Sequence, residues 1–300
     1  MRNTFISELV SAARLNPKIA LVVGDLGYGV IEPFALEFPD RFFNAGVAEQ
    51  NMMGLSAGLA SEGFHVFCYS IANFPTFRCA EQIRNDVDYH NLPVTIVAVG
   101  GGLSYGNLGY SHHAIQDYAL MRSMPNILIA SPGDPMEVRG CMNYLLENPQ
   151  PSYLRLGKAG EKVIHQEIPK VLPGKPLCIQ TGTSKQKVFI STGSPMALVN
   201  ESLKSGPKAK LYSQFSVPLW GMQYKLTIAK ELGIFDSVIT IEDHLEDGGF
   251  GSWILESLNK NPTNKTSVVI NSLDSIVCGM VGTQDALNEA AGLLGYKKCI

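Results

Sequence analysis

Apolar residues recur at helical spacing over residues 4–15, where Phe5, Leu9 and Ala13 share one stripe and Asn16-Pro17 ends the run. The continuous apolar segment Ile19–Val23 that follows reads as a buried strand. Similar runs at His65–Ile71, Val94–Val99 and Ile127–Ala130 alternate with helical stretches near 48–61, 77–88 and 134–146. Continuous apolar strands alternating with helices predict an α/β fold, with a parallel sheet covered on both faces. After Ser152–Leu156 the pattern breaks, and residues 157–186 are rich in Lys, Gly, Pro, Gln and Thr without a sustained period. A second set of strands is expected at Lys187–Ser191, Ala209–Ser213, Ser237–Ile241 and Ser267–Ile270, with helices around 195–205, 221–232 and 250–259. The expectation is therefore two domains, residues 1–160 and 187–300, each with a mostly parallel sheet flanked by helices, joined by a linker over 161–186.

One stretch interrupts this apolar regularity. Between Asn44 and Gly63 an acid, Glu49, stands among small and apolar side chains, near the start of the helix expected at 48–61. Asn44 is a candidate N-cap, Met52, Leu55 and Leu59 follow at helical spacing, and Gly54, Ala57, Gly58 and Ser61 form a face without bulk. Such a face lets another backbone approach closely, so a buried helix at a tight interface is expected. The plainer reading is a helix-start charge favoured by the macrodipole.

With 300 residues, 45% of them hydrophobic, the chain can build real cores. A net charge of -3 with scattered basic residues argues against a nucleic-acid or anionic-membrane surface. The N-terminal residues lack a signal-peptide core and no apolar run approaches the roughly 20 residues of a spanning helix, so a cytoplasmic location is expected. Cys68, Cys79, Cys141, Cys178, Cys278 and Cys299 are widely spaced and form no Cys-x-x-Cys pair, which fits reduced, mostly core thiols rather than zinc or disulfides.

Candidate chemistry gathers at the carboxyl ends of the first strands, where open α/β sheets bind ligands. The loop Gly24–Gly29 carries Asp25, a candidate substrate contact. The segment Gly100–His113 is glycine-rich, which permits close approach of a ligand to the backbone, and ends in His112 and His113. Neither it nor Gly248–Gly251 completes a Gly-x-Gly-x-x-Gly fingerprint, so a dinucleotide is not supported. A lone histidine is more often a satisfied structural residue than a catalytic one, but two adjacent ones at a sheet mouth beside a flexible loop favour catalysis, and neighbouring residues seldom ligate one metal. Phe74 and Phe77 lie where a strand turns into a helix and are either core or a platform for a flat ring. Arg78 and Arg155 each suit a phosphate or a structural carboxylate.

These residues together carry a resemblance. Asp40–Asn51, Phe74–Ile83 and Gly109–Asp117 resemble the pyrimidine-binding domain of transketolases and 1-deoxy-xylulose-5-phosphate synthases, and Thr240–Trp253 resembles the signature of the transketolase C-terminal domain. The resemblance implies thiamine diphosphate as cofactor. It assigns Glu49 to the acid that contacts the aminopyrimidine ring nitrogen and favours the imino tautomer, which deprotonates the thiazolium carbon. It makes Phe74 or Phe77 the stacking platform beside Arg78, sets His112, with His113 next to it, near the substrate carbonyl or hydroxyls, and matches Arg155 to an arginine that binds the acceptor phosphate. The chain departs from the pattern in having Asn107–Ser111 where an acidic residue and Gly-Pro usually precede the histidine, and Gly100–Gly102 where transketolases have a phosphate-binding histidine. An unphosphorylated or decorated sugar is the resulting expectation.

The family's Gly-Asp-Gly motif for the diphosphate and its Mg2+ is missing, since Gly24-Asp25-Leu26 lacks the final glycine. The resemblance then implies the C-terminal subunit of a split transketolase, inactive alone, with Mg2+ held by an N-terminal partner subunit in a two-plus-two heterotetramer. The alternatives are the beta subunit of a 2-oxoacid dehydrogenase, a 1-deoxy-xylulose-5-phosphate synthase-like enzyme, or a non-catalytic module that has kept the fold.

Overall fold

The computed structural model describes residues 1–205 and 210–300. Among these residues two sheets form. The first contains β1 (Ile19–Val23), β2 (Phe42–Asn44), β3 (His65–Ile71), β4 (Val94–Val99), β5 (Leu128–Ala130) and β6 (Ser152–Leu156), all parallel. Burial alternates between two cores along each strand, as a pleated sheet covered on both faces requires. Ala20, Val22, Val66, Cys68, Ile96 and Ala98 face one core, which includes Met52, Met53 and Ala57 of the helix Glu49–Ser61. Leu21, Val23, Phe67, Tyr69, Val97 and Val99 face the other, filled by Phe5 and Leu9 of the helix Arg2–Leu15 and by Val138 and Cys141 of the helix Pro135–Glu147.

The second sheet contains β7 (Leu177–Gln180), β8 (Lys187–Ser191), β9 (Ser213–Ser216), β11 (Ser237–Leu245) and β12 (Ser267–Leu273) in the order β12-β11-β8-β9-β7. It is parallel except for β7, which runs antiparallel to β9 at the edge. Helices Pro195–Ser205, Lys225–Leu232 and Phe250–Leu258 flank it. The α/β reading with two mostly parallel sheets holds.

Several expectations need correcting. The segment 161–186 is not only a linker, because β7 closes the edge of the second sheet. The strand β10 (Leu219–Trp220) returns from the second half of the chain to pair antiparallel with β5, so the first sheet takes its last strand from beyond residue 187. Of the strand expected at Ala209–Ser213, Ala209 lies outside the described residues and Ser213 begins β9. The helix expected at 77–88 is three pieces, Phe74–Phe77, Ala80–Gln82 and a wider π-helical turn at Ile83–Asp88. Pro75 fits the first turn of the first piece, where its missing N–H costs nothing.

Candidate active site

Asn44 ends β2 instead of capping the helix; Ala48 takes the N-cap position without a side-chain bond. Asn44 Oδ1 accepts from the backbone N–H groups of Asp25 at 3.1 Å and Gly46 at 3.0 Å, and its amide donates to Asp25 Oδ1 at 2.9 Å. It therefore clips the loop after β1 to the turn that leads into the helix. Gly46, at φ 73°, makes that turn. Asp25 is exposed, at φ 54°, and its bonds from Asn44 and Tyr28 hold its carboxyl below the usual carboxylate range.

Glu49 is the first residue of the helix and is only 4% exposed. Its carboxylate oxygen Oε1 accepts from Arg78 Nη1 at 3.0 Å. Arg78 follows the short helix Phe74–Phe77 one turn after Phe74, the spacing at which side chains on one helical face meet. Its guanidinium lies 4.0 Å from the centroid of the Phe74 ring. A buried carboxylate and the face of an aromatic ring are thus bridged by one flat cation. A flat ring carrying nitrogen donors or acceptors would satisfy the same two contacts, so these residues fit the pyrimidine of thiamine diphosphate.

His112 meets Phe74 edge-on at 5.3 Å between ring centroids, and Tyr105 at 6.4 Å. Partial burial, followed by the nearby charge of Arg78, lowers the pKa of its imidazole and favours the neutral form. His113 points inward, 1% exposed, with Nε2 at 3.5 Å from the Gly106 carbonyl oxygen, and burial lowers its pKa too. Of the adjacent histidines, His112 is the one that reaches the ring cluster. A cleft of about 640 Å³ opens here, lined by Phe74, Phe77, Arg78, Tyr110, Ser111 and Gln116. Phe77 stands at its rim, 48% exposed.

Arg155 departs from the expected role. It is 3% exposed and all five of its N–H donors are engaged within the chain. Nε donates to Asp117 Oδ2 at 2.7 Å, Nη1 to Asp243 Oδ1 at 2.7 Å and Tyr118 Oη at 3.1 Å, and Nη2 to the carbonyl oxygens of Ala114 at 2.8 Å and Asp243 at 3.2 Å. No donor is left for a substrate phosphate. The glycine-rich loop is likewise filled from inside. A Cβ on Gly101 would lie 2.6 Å from Arg155 Nε, one on Gly102 2.3 Å from Asp243 Oδ2, and one on Gly100 2.1 Å from the Tyr105 ring. The glycines admit the chain's own side chains there.

Three residues of the neighbourhood escape a sequence reading. Asn73 donates to the carbonyl oxygens of Ser111 at 3.2 Å and His113 at 2.8 Å, which hangs the histidine loop over Phe74. Its only sequence signal is that it precedes Phe74. Tyr105 bridges His112 to Lys158, whose ammonium lies 5.3 Å from the Tyr105 ring centroid. Lys158 is exposed, has no carboxylate partner among the described residues, and follows β6 closely enough to have been noticed as a strand-end cation. In the second half of the chain, Glu242 accepts from the backbone N–H groups of Phe250 and, at 2.8 Å, Gly251. Burial pushes its carboxyl up to about 8. This acid serves the start of the helix Phe250–Leu258, which accounts for part of the Thr240–Trp253 signature.

Residues 1–160 match the model of the transketolase pyrimidine-binding domain. A putative transketolase C-terminal section from Methanocaldococcus jannaschii is 34% identical, with 98% of this chain and 92% of that protein aligned. A subunit of the apulose-4-phosphate transketolase of Phocaeicola vulgatus is 31% identical over 87% of this chain and 84% of its own length. Among solved structures, a split gene transketolase in an inactive beta4 tetramer superposes with a TM-score of 0.83 at 30% identity, covering 97% of this chain and 93% of the other.

Proposed function

The chain belongs to the transketolase family, and on that premise we propose that it is the C-terminal subunit of a two-chain, thiamine-diphosphate-dependent transketolase. The observation that carries the proposal is the buried Glu49 carboxylate coupled to the Phe74 ring through Arg78. Members of the family use thiamine diphosphate. Bound here, the cofactor would supply a nucleophilic carbon able to carry a two-carbon ketol unit from a ketose to an aldose. Glu49 would hold a proton between its carboxyl and the ring nitrogen, in a site dry enough to strengthen that bond. Phe74, rather than the rim residue Phe77, would be the stacking platform, and His112 would bind substrate oxygen through its neutral imidazole. Asp25 and Tyr28 stand at the same sheet edge and are proposed as outer substrate contacts.

We infer that the diphosphate and Mg2+ would be held by an N-terminal partner chain in a two-plus-two heterotetramer. Relatives described as a C-terminal section and as one subunit of a transketolase, aligned over most of their own lengths, support a divided enzyme. Arg155 is fully engaged, so a phosphate on the sugar would have Lys158 for its cation, which stands near Tyr105 with no carboxylate partner among the described residues.

The test is to assemble the chain with a diphosphate-binding partner and assay ketol transfer with and without thiamine diphosphate. The pair is expected to be active and either chain alone inactive, and Glu49→Gln in the pair should lower kcat by roughly 10²-fold or more, the usual scale for a proton-handling group. Full activity in Glu49→Gln would refute the assignment of Glu49. Release of carbon dioxide from a 2-oxoacid would move the chain to the beta subunit of a 2-oxoacid dehydrogenase or to a 1-deoxy-xylulose-5-phosphate synthase-like enzyme.

A further inference from the structure

Two arginines of the first domain are held in opposite ways. Arg155 is buried and uses every donor. Arg78 is 48% exposed in its side chain, lines the cleft, and meets the protein through one N–H to Glu49 and one face against Phe74. Those contacts are the ones that the proposed site requires of a bound pyrimidine: a hydrogen bond to the buried acid and stacking on the aromatic ring. A guanidinium suits the part because it is planar, stacks on aromatic faces and presents N–H donors in its own plane. It also comes from the residue one helical turn past Phe74, so it can leave by side-chain rotation without moving the backbone.

We propose that Arg78 is a self-ligand: its guanidinium fills the pyrimidine seat of the cofactor-free chain and swings out when the ring enters. The inference rests on the reading of the site given above and deepens it. While seated, Arg78 keeps Glu49 paired, so the buried carboxylate is never left without a partner. It also holds the carboxylate and the ring face at the separation a flat group needs. The cofactor then competes with a group of the protein, and its apparent affinity falls by the fraction of chains whose seat is open. This assigns Arg78 a sign opposite to that of a cofactor-binding residue, whose removal weakens binding.

Stacking and ion pairing at a half-exposed arginine are each weak, so the competition is expected to be worth about fivefold to twentyfold in affinity. The experiment is calorimetric titration of thiamine diphosphate, with Mg2+ present, into the complex with the diphosphate-binding partner. Arg78→Met should tighten binding by about that factor. Arg78→Lys should fall between wild type and Arg78→Met, because an ammonium pairs with Glu49 but cannot lie flat on Phe74. The same order should appear when the pyrimidine fragment 4-amino-5-hydroxymethyl-2-methylpyrimidine is titrated into the full chain without its partner. Unchanged or weaker binding in Arg78→Met overturns the self-ligand and leaves the functional reading intact. A wild-type complex and an Arg78→Met complex that both fail to bind thiamine diphosphate overturn the functional reading and this inference with it.

Discussion

Arg155 is worth most at the scale of single residues, because its position decides between binding a substrate and joining the two halves of the chain. A buried arginine between Asp117 and Asp243 is costly to desolvate and is tolerated only because each donor is satisfied. Tyr153 also donates to Asp117 Oδ2, at 2.6 Å, and Ser194 to Asp243 Oδ2, at 2.7 Å, so both acids depend on the same network. Arg155→Met would leave two carboxylates buried without their cation, a loss of about 3–5 kcal/mol. Arg155→Lys should restore little, since a single ammonium cannot reproduce the fork that bonds Asp117, Tyr118 and Asp243 together. Urea unfolding followed by circular dichroism reads this as a lower midpoint. If the midpoint stayed put and the KM for a phosphorylated acceptor alone rose, Arg155 would be a substrate residue after all.

Individual elements were legible in the sequence where burial alone sets the pattern. β1 follows from an unbroken apolar run and β3 and β4 from runs broken only by His65, Ser70 and Thr95, and the helix Glu49–Ser61 from the spacing of Met52, Leu55 and Leu59, of which Met52 is buried and the two leucines half-buried. Glu49, Phe74, Arg78 and His112 could likewise be singled out, and they do meet in space. What stayed hidden depends on partners far along the chain. The two residues of β10 become a strand because β5 offers them an edge. The glycines at 100–102 look like room for a ligand until Arg155 and Asp243, both distant in sequence, fill it. Of the small-residue face, Ala57 is buried in the core, whereas Gly54, Gly58 and Ser61 are turned away from it, and a Cβ on Gly54 or Gly58 would meet nothing within 4 Å. Nothing within the described residues requires glycine in that helix interior. Gly58→Ala should therefore stabilise the isolated chain by about 0.5–1 kcal/mol through helix propensity, seen as a higher melting temperature. If the bare face is a subunit contact, the gain should shrink or reverse in the assembled complex; a melting temperature lowered in the isolated chain would show that the position is already constrained.

The molecule as a whole is not two domains on a string. Tyr118 and Ile129 of the first half share one continuous core with Val188, Trp220, Phe250 and Trp253 of the second. Trp253 donates its indole N–H to the Gly221 carbonyl oxygen at 3.0 Å, beside the two residues of β10. Arg122 reaches the start of the helix Phe250–Leu258, donating to the Gly249 carbonyl oxygen at 3.1 Å and to Ser252 Oγ at 2.9 Å. The second half thus supplies a strand of the first sheet, the cation network's Asp243 and one wall of the core that holds the histidine loop in place. A fragment ending at Gln186 would lose all three, expose Tyr118 and the β5 edge, and leave Arg155 with Asp117 as its one carboxylate partner. We expect that fragment to bind a hydrophobic dye, to lack near-ultraviolet dichroism and to unfold without a sharp transition, whereas the full chain melts in one step with coincident tryptophan fluorescence and far-ultraviolet signals. Two separated transitions in the full chain, or a fragment 1–186 with a sharp melt of its own, would mean that the halves fold independently. The active-site half would then need no help from the C-terminal domain. The single step expected here instead makes that domain a structural part of the site, because the loop bearing His112 and the buried Arg155 network are closed from its side.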